Sequence, residues 1–109
     1  ERLMHDQDLI RIIADTFLAD MPQQISELKV IIKTGNAEKT GAQAHKIKGS
    51  ALNVGGTVLS ELALTIEKAG KAGDMVTVQQ TIIAMEESFE QLKSCMEKAL
   101  RDRIIPAIT

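Results

Sequence analysis

The sequence predicts an all-α fold: an antiparallel up-and-down four-helix bundle with an additional N-terminal helix packed against it. Two observations lead to this prediction. Apolar residues recur at three- and four-residue spacing in each long segment, and glycine or proline interrupts the chain at intervals of about 13 to 30 residues. The period-two alternation and the aromatic or β-branched enrichment that strands require do not occur. Short connections between the segments then make successive helices antiparallel.

The first two segments flank a proline. The first is predicted to start at an Asp6 N-cap. Pro22, which lacks an N–H, either begins a second helix after an Asp20 cap or kinks a longer one. The second segment ends at Gly35, a suitable left-handed residue after a helix. The two predicted core stripes are Ile10, Ile13, Ala14, Phe17 and Met21, and then Ile25, Leu28, Ile31 and Ile32.

Three more helices follow. Asn36 is expected to cap a helix that runs from Ala37 to about Val54. Thr57 is expected to cap the next one, and Asp74 caps the last after a turn at residues 70–73. Their core stripes are Ala44, Ile47, Ala51 and Val54; Leu59, Leu62, Ala63 and Ile66; and Val78, Ile82, Met85, Phe89, Leu92, Met96 and Ala99.

Length and composition indicate a single domain, predicted over residues 1–103, and a tail of residues 104–109 outside the bundle. The 109 residues include 13 Lys+Arg, 15 Asp+Glu and only two aromatic residues. A chain without a basic face or stacking aromatics is not expected to bind nucleic acid. Cys95, the single cysteine, cannot form an internal disulfide and is expected to be a small buried hydrophobe. No apolar run reaches the roughly 20 residues of a membrane span.

Two histidines are candidates for chemistry. His5 precedes the first predicted helix and is interpreted as a solvated terminal residue. His45 flanks the core stripe of its helix, with Lys48 and Gly49 one turn further along the same face. A glycine inside a helix costs about 1 kcal/mol relative to alanine, and here it leaves the surface above the imidazole bare. A neutral imidazole beside an ammonium group can accept a phosphoryl group. Simpler interpretations stay open: Gly49 permits close helix packing, and Lys48 is solvated surface.

The string around His45 resembles the signature of histidine-containing phosphotransfer (HPt) domains. The signature has a histidine, two residues, Lys-Gly-Ser/Ala, a small residue, and a glycine near the helix end. The matching segment is Ala44–Gly55. Residues similar to the family's also occur outside the motif, and the resemblance covers roughly residues 6–100. The other matching segments are residues 17–22, 35–37 and 62–74.

This resemblance implies a phosphorelay intermediate of two-component signalling, which accepts a phosphoryl group from a receiver-domain aspartate and passes it to another receiver. His45 would be phosphorylated, Lys48 would stabilise the phosphoryl group, and Gly49 would keep the approach open. Family members have no kinase activity, and the sequence contains no glycine-rich nucleotide motif. No cofactor or metal is expected on this chain. The Mg²⁺ for the transfer is expected on the partner, a response-regulator receiver domain.

Receiver docking is predicted to use apolar surface that the helix stripes do not consume, at Leu9, Ile12 and Leu52, together with the charge of Lys46. The alternative that the apolar residues pack between the N-terminal helix and the bundle stays open. The isolated module is expected to be monomeric and to make no membrane contact. A start without Met favours the C-terminal module of a bacterial hybrid sensor histidine kinase. Such a module would be cytoplasmic, on a parent chain that can be anchored in the inner membrane.

Two other functions compete with this interpretation. The dimerisation and phosphoacceptor region of a sensor kinase usually has an acidic residue directly after its histidine and a proline a few residues later. Here Lys46 follows His45, and the next proline is Pro106, which disfavours that region. In the second alternative the chain is a non-catalytic helical adaptor, an interaction module in which His45 is incidental.

Overall fold

The computed structural model describes the backbone of residues 2–108 and the side chains of residues 8–102, and every regular element in it is an α-helix. The predicted all-α class is therefore confirmed. The helices, in chain order, are α1 (Arg2–Thr34), α2 (Ala37–Asn53), α3 (Thr57–Lys71) and α4 (Met75–Ile108). Short turns connect them, so neighbouring helices run antiparallel. In the part of the chain that the structure describes, none of them is both long enough and apolar enough to cross a membrane.

The additional N-terminal helix is not a separate element. α1 continues through Pro22 as one helix, and the predicted cap at Asp6 falls inside it. Because Pro22 has no N–H, the carbonyl of Leu18 lacks its helical donor. Met21 and Ile25, before and after the proline, are both buried. Their packing against the core outweighs the loss of one hydrogen bond and keeps the helix continuous.

The first and last helices are about twice as long as the middle two. α1 and α4 contain 33 and 34 residues, whereas α2 and α3 contain 17 and 15. The short α2–α3 hairpin covers only part of the long pair, which accounts for the 53 Å length of the molecule. Ile10 and Ile13 lie near one end of α1 and are 46% and 40% exposed. Their prediction as core residues is wrong, as is that of the exposed Ala99 on α4.

The core lies where all four helices overlap, and it is aliphatic. The largest fully buried side chains come from each helix in turn: Met21 and Leu28, then Thr40 and Ile47, then Leu59 and Ile66, then Val78 and Met85. The only two aromatic rings, Phe17 on α1 and Phe89 on α4, contact each other with centroids 5.9 Å apart. Cys95 is exposed rather than buried, because it lies one residue around α4 from the partly buried Met96.

Two predicted helix caps are confirmed. The backbone N–H of Lys39 donates to Asn36 Oδ1 over 2.9 Å at the start of α2. The N–H of Thr77 donates to Asp74 Oδ1 over 3.1 Å at the start of α4. Gly35 has a φ of 75°, the left-handed conformation expected after α1. The sequence thus specifies these two turns locally.

Two other predicted boundaries differ from the structure. Thr57 is the first residue of α3 rather than its cap, and Gly56 precedes it without a side-chain capping bond. At the C-terminus, α4 continues to Ile108, so residues 104–108 are helical. The side chains of that segment lie outside the described residues, and the separate tail stays a prediction.

Candidate functional site

His45 stands on the solvent side of α2, as its place beside the core stripe predicts. Ala44 and Ile47 are fully buried, which fixes the rotation of α2 and turns His45 outward. The His45 side chain is 64% exposed. A Cβ atom at Gly49 would have no neighbouring atom within 4 Å. Gly49 therefore does not serve close helix packing, and the space beside it is open.

A buried carboxylate on α3, Glu67, lies behind His45. Its Oε2 is 3.0 Å from His45 Nδ1, and its side chain is only 7% exposed. The motif around His45 does not predict this residue. One signal was available in the sequence, because Glu67 follows Ala63 by four positions and so falls on the inward face of α3. A carboxylate at an inward position requires charged or hydrogen-bonding partners.

Two lysines share the Glu67 carboxylate with His45. Lys71 Nζ donates to Oε2 over 3.1 Å, and Lys48 Nζ lies 3.2 Å from Oε1. Oε1 accepts no hydrogen bond, so the Lys48 contact is an ion pair without hydrogen-bond geometry. The Lys48 side chain is 25% exposed. Lys48 is therefore held against Glu67, and its interpretation as ordinary solvated surface is wrong.

These partners keep Glu67 ionised. Burial raises the pKa of this carboxyl group, but the contacts from Lys71, Lys48 and His45 outweigh burial and lower its pKa to about 2. An ionised carboxylate only accepts hydrogen bonds, so His45 Nδ1 carries the proton that points to Oε2. In the neutral ring the lone pair then belongs to Nε2, on the opposite edge.

Two glycines bring α3 close enough for Glu67 to reach His45. A Cβ atom at Gly70 would lie 3.0 Å from the backbone nitrogen of Gly41 on α2. A Cβ at Gly41 would lie 3.4 Å from the carbonyl oxygen of Glu67. The two backbones therefore touch about one turn before His45 and one turn after Glu67. Gly70, predicted as a turn residue, lies inside α3, and this close approach is what its missing side chain permits.

The residues predicted to dock a partner are all exposed. Leu9, Ile12 and Leu52 are 56%, 61% and 58% exposed, and Lys46 is exposed as well. Burial of the apolar three between an N-terminal helix and the bundle is therefore wrong. Leu52 shares the face of α2 that carries His45, seven residues further on.

Ile12 lies beside a groove between α1 and the end of α2, which Ser50 and Asn53 also line. A second groove, between α2 and α3, contains His45 itself. Among the residues whose side chains are described, no group of three potential metal-ligating side chains comes together. His5, the other histidine, lies outside that part of the chain.

Comparisons with known proteins identify the family and the fold. The family model of the Hpt domain matches residues 13–101, which include the whole site. The fold is similar to the crystal structure of the histidine-containing phosphotransfer protein ZmHP2 from maize, with a TM-score of 0.81 and 18% sequence identity. That match covers 88% of this chain and 72% of the maize protein. No curated protein matches the chain in sequence.

Proposed function

Because this chain belongs to the Hpt domain family, we propose that His45 is the residue on which it carries a phosphoryl group. Hpt domains are phosphorelay intermediates of two-component signal transduction, carriers rather than kinases, and they interact with receiver domains. One observation supports His45 above all others. Its imidazole is exposed while Nδ1 is hydrogen-bonded to the buried, ionised Glu67, which leaves Nε2 as the nucleophile.

The transfer begins when the Nε2 lone pair attacks the phosphorus of an aspartyl phosphate on a receiver domain. The N–P bond forms as the bond between phosphorus and the aspartate oxygen breaks, and that electron pair leaves with the carboxylate. The ring becomes positively charged and keeps its Nδ1 proton. Glu67, 3.0 Å from Nδ1, stabilises this charge. Attack by the aspartate of another receiver reverses these steps and passes the phosphoryl group on.

Lys48 and Gly49 support the transfer in different ways. The Lys48 ammonium offsets negative charge on the phosphoryl oxygens, and its 3.2 Å contact with Glu67 keeps it near the ring. Gly49 borders open space, which admits the phosphoryl group and the receiver. This chain provides the nucleophile, the carboxylate and the cation, whereas the receiver provides the aspartate and Mg²⁺. A separate kinase phosphorylates the first receiver.

The receiver docks on exposed apolar surface near His45. Leu52 supplies the part of this surface nearest to His45 on α2, and Leu9 and Ile12 extend it along α1. Lys46, directly beside His45 and exposed, faces the acidic metal site that a receiver brings. Apolar contact contributes affinity here, and the charge orients the encounter.

Phosphotransfer from labelled receivers tests this function. A panel of receiver domains is phosphorylated with a labelled small-molecule phosphodonor in the presence of Mg²⁺ and freed of the donor, and each receiver is incubated with the wild type, His45→Gln or His5→Gln. We expect the wild type and His5→Gln to take the label, and His45→Gln to take none while circular dichroism shows its helices intact. Label on His45→Gln would overturn the assignment. Receiver binding without labelling of the wild type would favour the helical adaptor.

A further inference from the structure

The positive charge of the lysines around Glu67 exceeds the single negative charge of its carboxylate. Lys48 and Lys71 each place an ammonium group against it, at 3.2 and 3.1 Å. With the single charge of the carboxylate, the cluster is already positive by one before His45 is counted. Lys71 contacts Oε2, the same oxygen that accepts the hydrogen bond from His45 Nδ1. The Lys71 and His45 nitrogens therefore lie within about 6 Å of each other, close enough to interact electrostatically.

This excess charge matters for the nucleophile. A single ionised carboxylate beside an imidazole favours the protonated ring, which has no lone pair for attack on phosphorus. Protonating His45 would add a third cation around one carboxylate. We propose that Lys71, whose ammonium Glu67 holds within about 6 Å of the ring, is a positioning residue that keeps His45 neutral, with its proton on Nδ1 and its lone pair on Nε2. This inference rests on the proposed function, in which Nε2 is the nucleophile.

The other charged groups near the ring do not replace Lys71 in this role. Glu38 and Lys46 line the groove that contains His45, and their charges are opposite. No ion pair joins either of them to His45 or Glu67. Among the described side chains, none from α1 or α4 pairs with these two residues. Lys48 contacts the other carboxylate oxygen, Oε1. Its proposed role is to offset negative charge on the phosphoryl oxygens.

If the role of Lys71 were purely structural, its removal would change the stability of α3 and not the charge beside His45. Glu67 and Lys71 form an i,i+4 pair, and Lys71 ends α3, where a cation stabilises the helix. Lys68 lies in the same last turn of α3 and, in the described part of the chain, forms no ion pair with Glu67. Lys68→Met therefore removes the same charge from the same helix end without touching the carboxylate. It is the matched control for Lys71→Met.

Chemical modification of His45 tests the inference without a receiver. Diethyl pyrocarbonate acylates neutral imidazole, so its rate against pH, followed by ultraviolet absorbance in a His5→Gln background, reports the neutral fraction of His45. One unit charge at about 6 Å in a water-like medium corresponds to roughly half a pH unit. We expect the pH at which the modification rate is half its maximum to rise by about that amount in Lys71→Met. It should stay unchanged in Lys68→Met and Lys71→Arg.

Phosphotransfer should follow the same profile. Below its midpoint, Lys71→Met should accept the phosphoryl group more slowly than the wild type, by up to about threefold, and at high pH, where the ring is neutral in both proteins, it should be no slower. The role of Lys71 would be overturned if Lys71→Met and the wild type had the same modification profile, or if Lys68→Met shifted the profile equally. It would also be overturned if Lys71→Met still shifted the profile by the same amount in a Glu67→Gln background. A shifted modification profile in a protein that takes no label would instead refute the proposed function and leave the effect of Lys71 standing.

Discussion

Acid should remove the stability that Glu67 contributes. The pKa of Glu67 is lowered from 4.5 to about 2 in the folded protein, where contacts from Lys71, Lys48 and His45 outweigh burial. As pH falls, the unfolded chain binds its proton first. The contribution of Glu67 to the free energy of unfolding is therefore complete well above pH 4.5 and is lost as pH falls towards about 2.

The size of this contribution follows from the same contacts. The full shift corresponds to at most about 3 kcal/mol. The Lys71 side chain is 70% exposed and that of Lys48 25%, so solvent screening reduces the expected contribution to about 1–2 kcal/mol. About half of it should be lost by roughly pH 3, where the unfolded state is already protonated and the folded state is not.

Urea denaturation of the wild type and Glu67→Gln between about pH 6 and pH 3 measures the effect. The wild type should be more stable by about 1–2 kcal/mol at the upper pH, and the difference should shrink by about half at the lower pH. Asp74, whose pKa is lowered by its hydrogen bonds with Thr77, titrates in both proteins and cancels in the difference. A difference in stability that stays constant across this range would show that these contacts do not lower the pKa of Glu67 in the folded protein.

Substitutions at three further positions test the site and its support. Gly49→Ala should stabilise the protein by about 1 kcal/mol in thermal denaturation, whereas Gly49→Leu should fold but block labelling of His45; strong destabilisation by either would mean that the glycine packs. Gly70→Ala should lower the free energy of unfolding by about 1–3 kcal/mol, because its Cβ would press on the Gly41 backbone; wild-type stability would contradict that contact. Lys48→Met should slow phosphotransfer and cost no more than about 1 kcal/mol of stability; an unchanged transfer rate would remove Lys48 from the mechanism.

Local sequence signals predicted most of the fold. Asn36 and Asp74 cap their helices through their own side chains, which needs no distant contact. Pro22 behaved differently, because burial of its neighbours keeps α1 continuous and that packing is not visible in a local pattern. Ile10 and Ile13 have the spacing of a core stripe, but the α2–α3 hairpin is too short to cover them.

The sequence predicted the position of His45 on α2, but not the contacts that α3 makes with it. The motif located His45 and its outward position, since both follow from the register of one helix. Glu67 lies 22 residues away on another helix, and it reaches the ring only because Gly41 and Gly70 let the two backbones touch. Spacing within α2 likewise could not reveal that Lys48 points at a carboxylate of α3. Contacts between helices, rather than periodicity within one, complete this site.

We propose above all that Glu67 fixes the proton of His45 on Nδ1 and leaves Nε2 to take the phosphoryl group. NMR of the ¹⁵N-labelled, phosphorylated protein tests it directly, because phosphorus couples to the nitrogen that bears it. We predict a phosphorus–nitrogen coupling at Nε2 of His45 and a protonated Nδ1 hydrogen-bonded to Glu67. A phosphoryl group on Nδ1, or on any residue other than His45, would rule out these roles of Glu67 and His45.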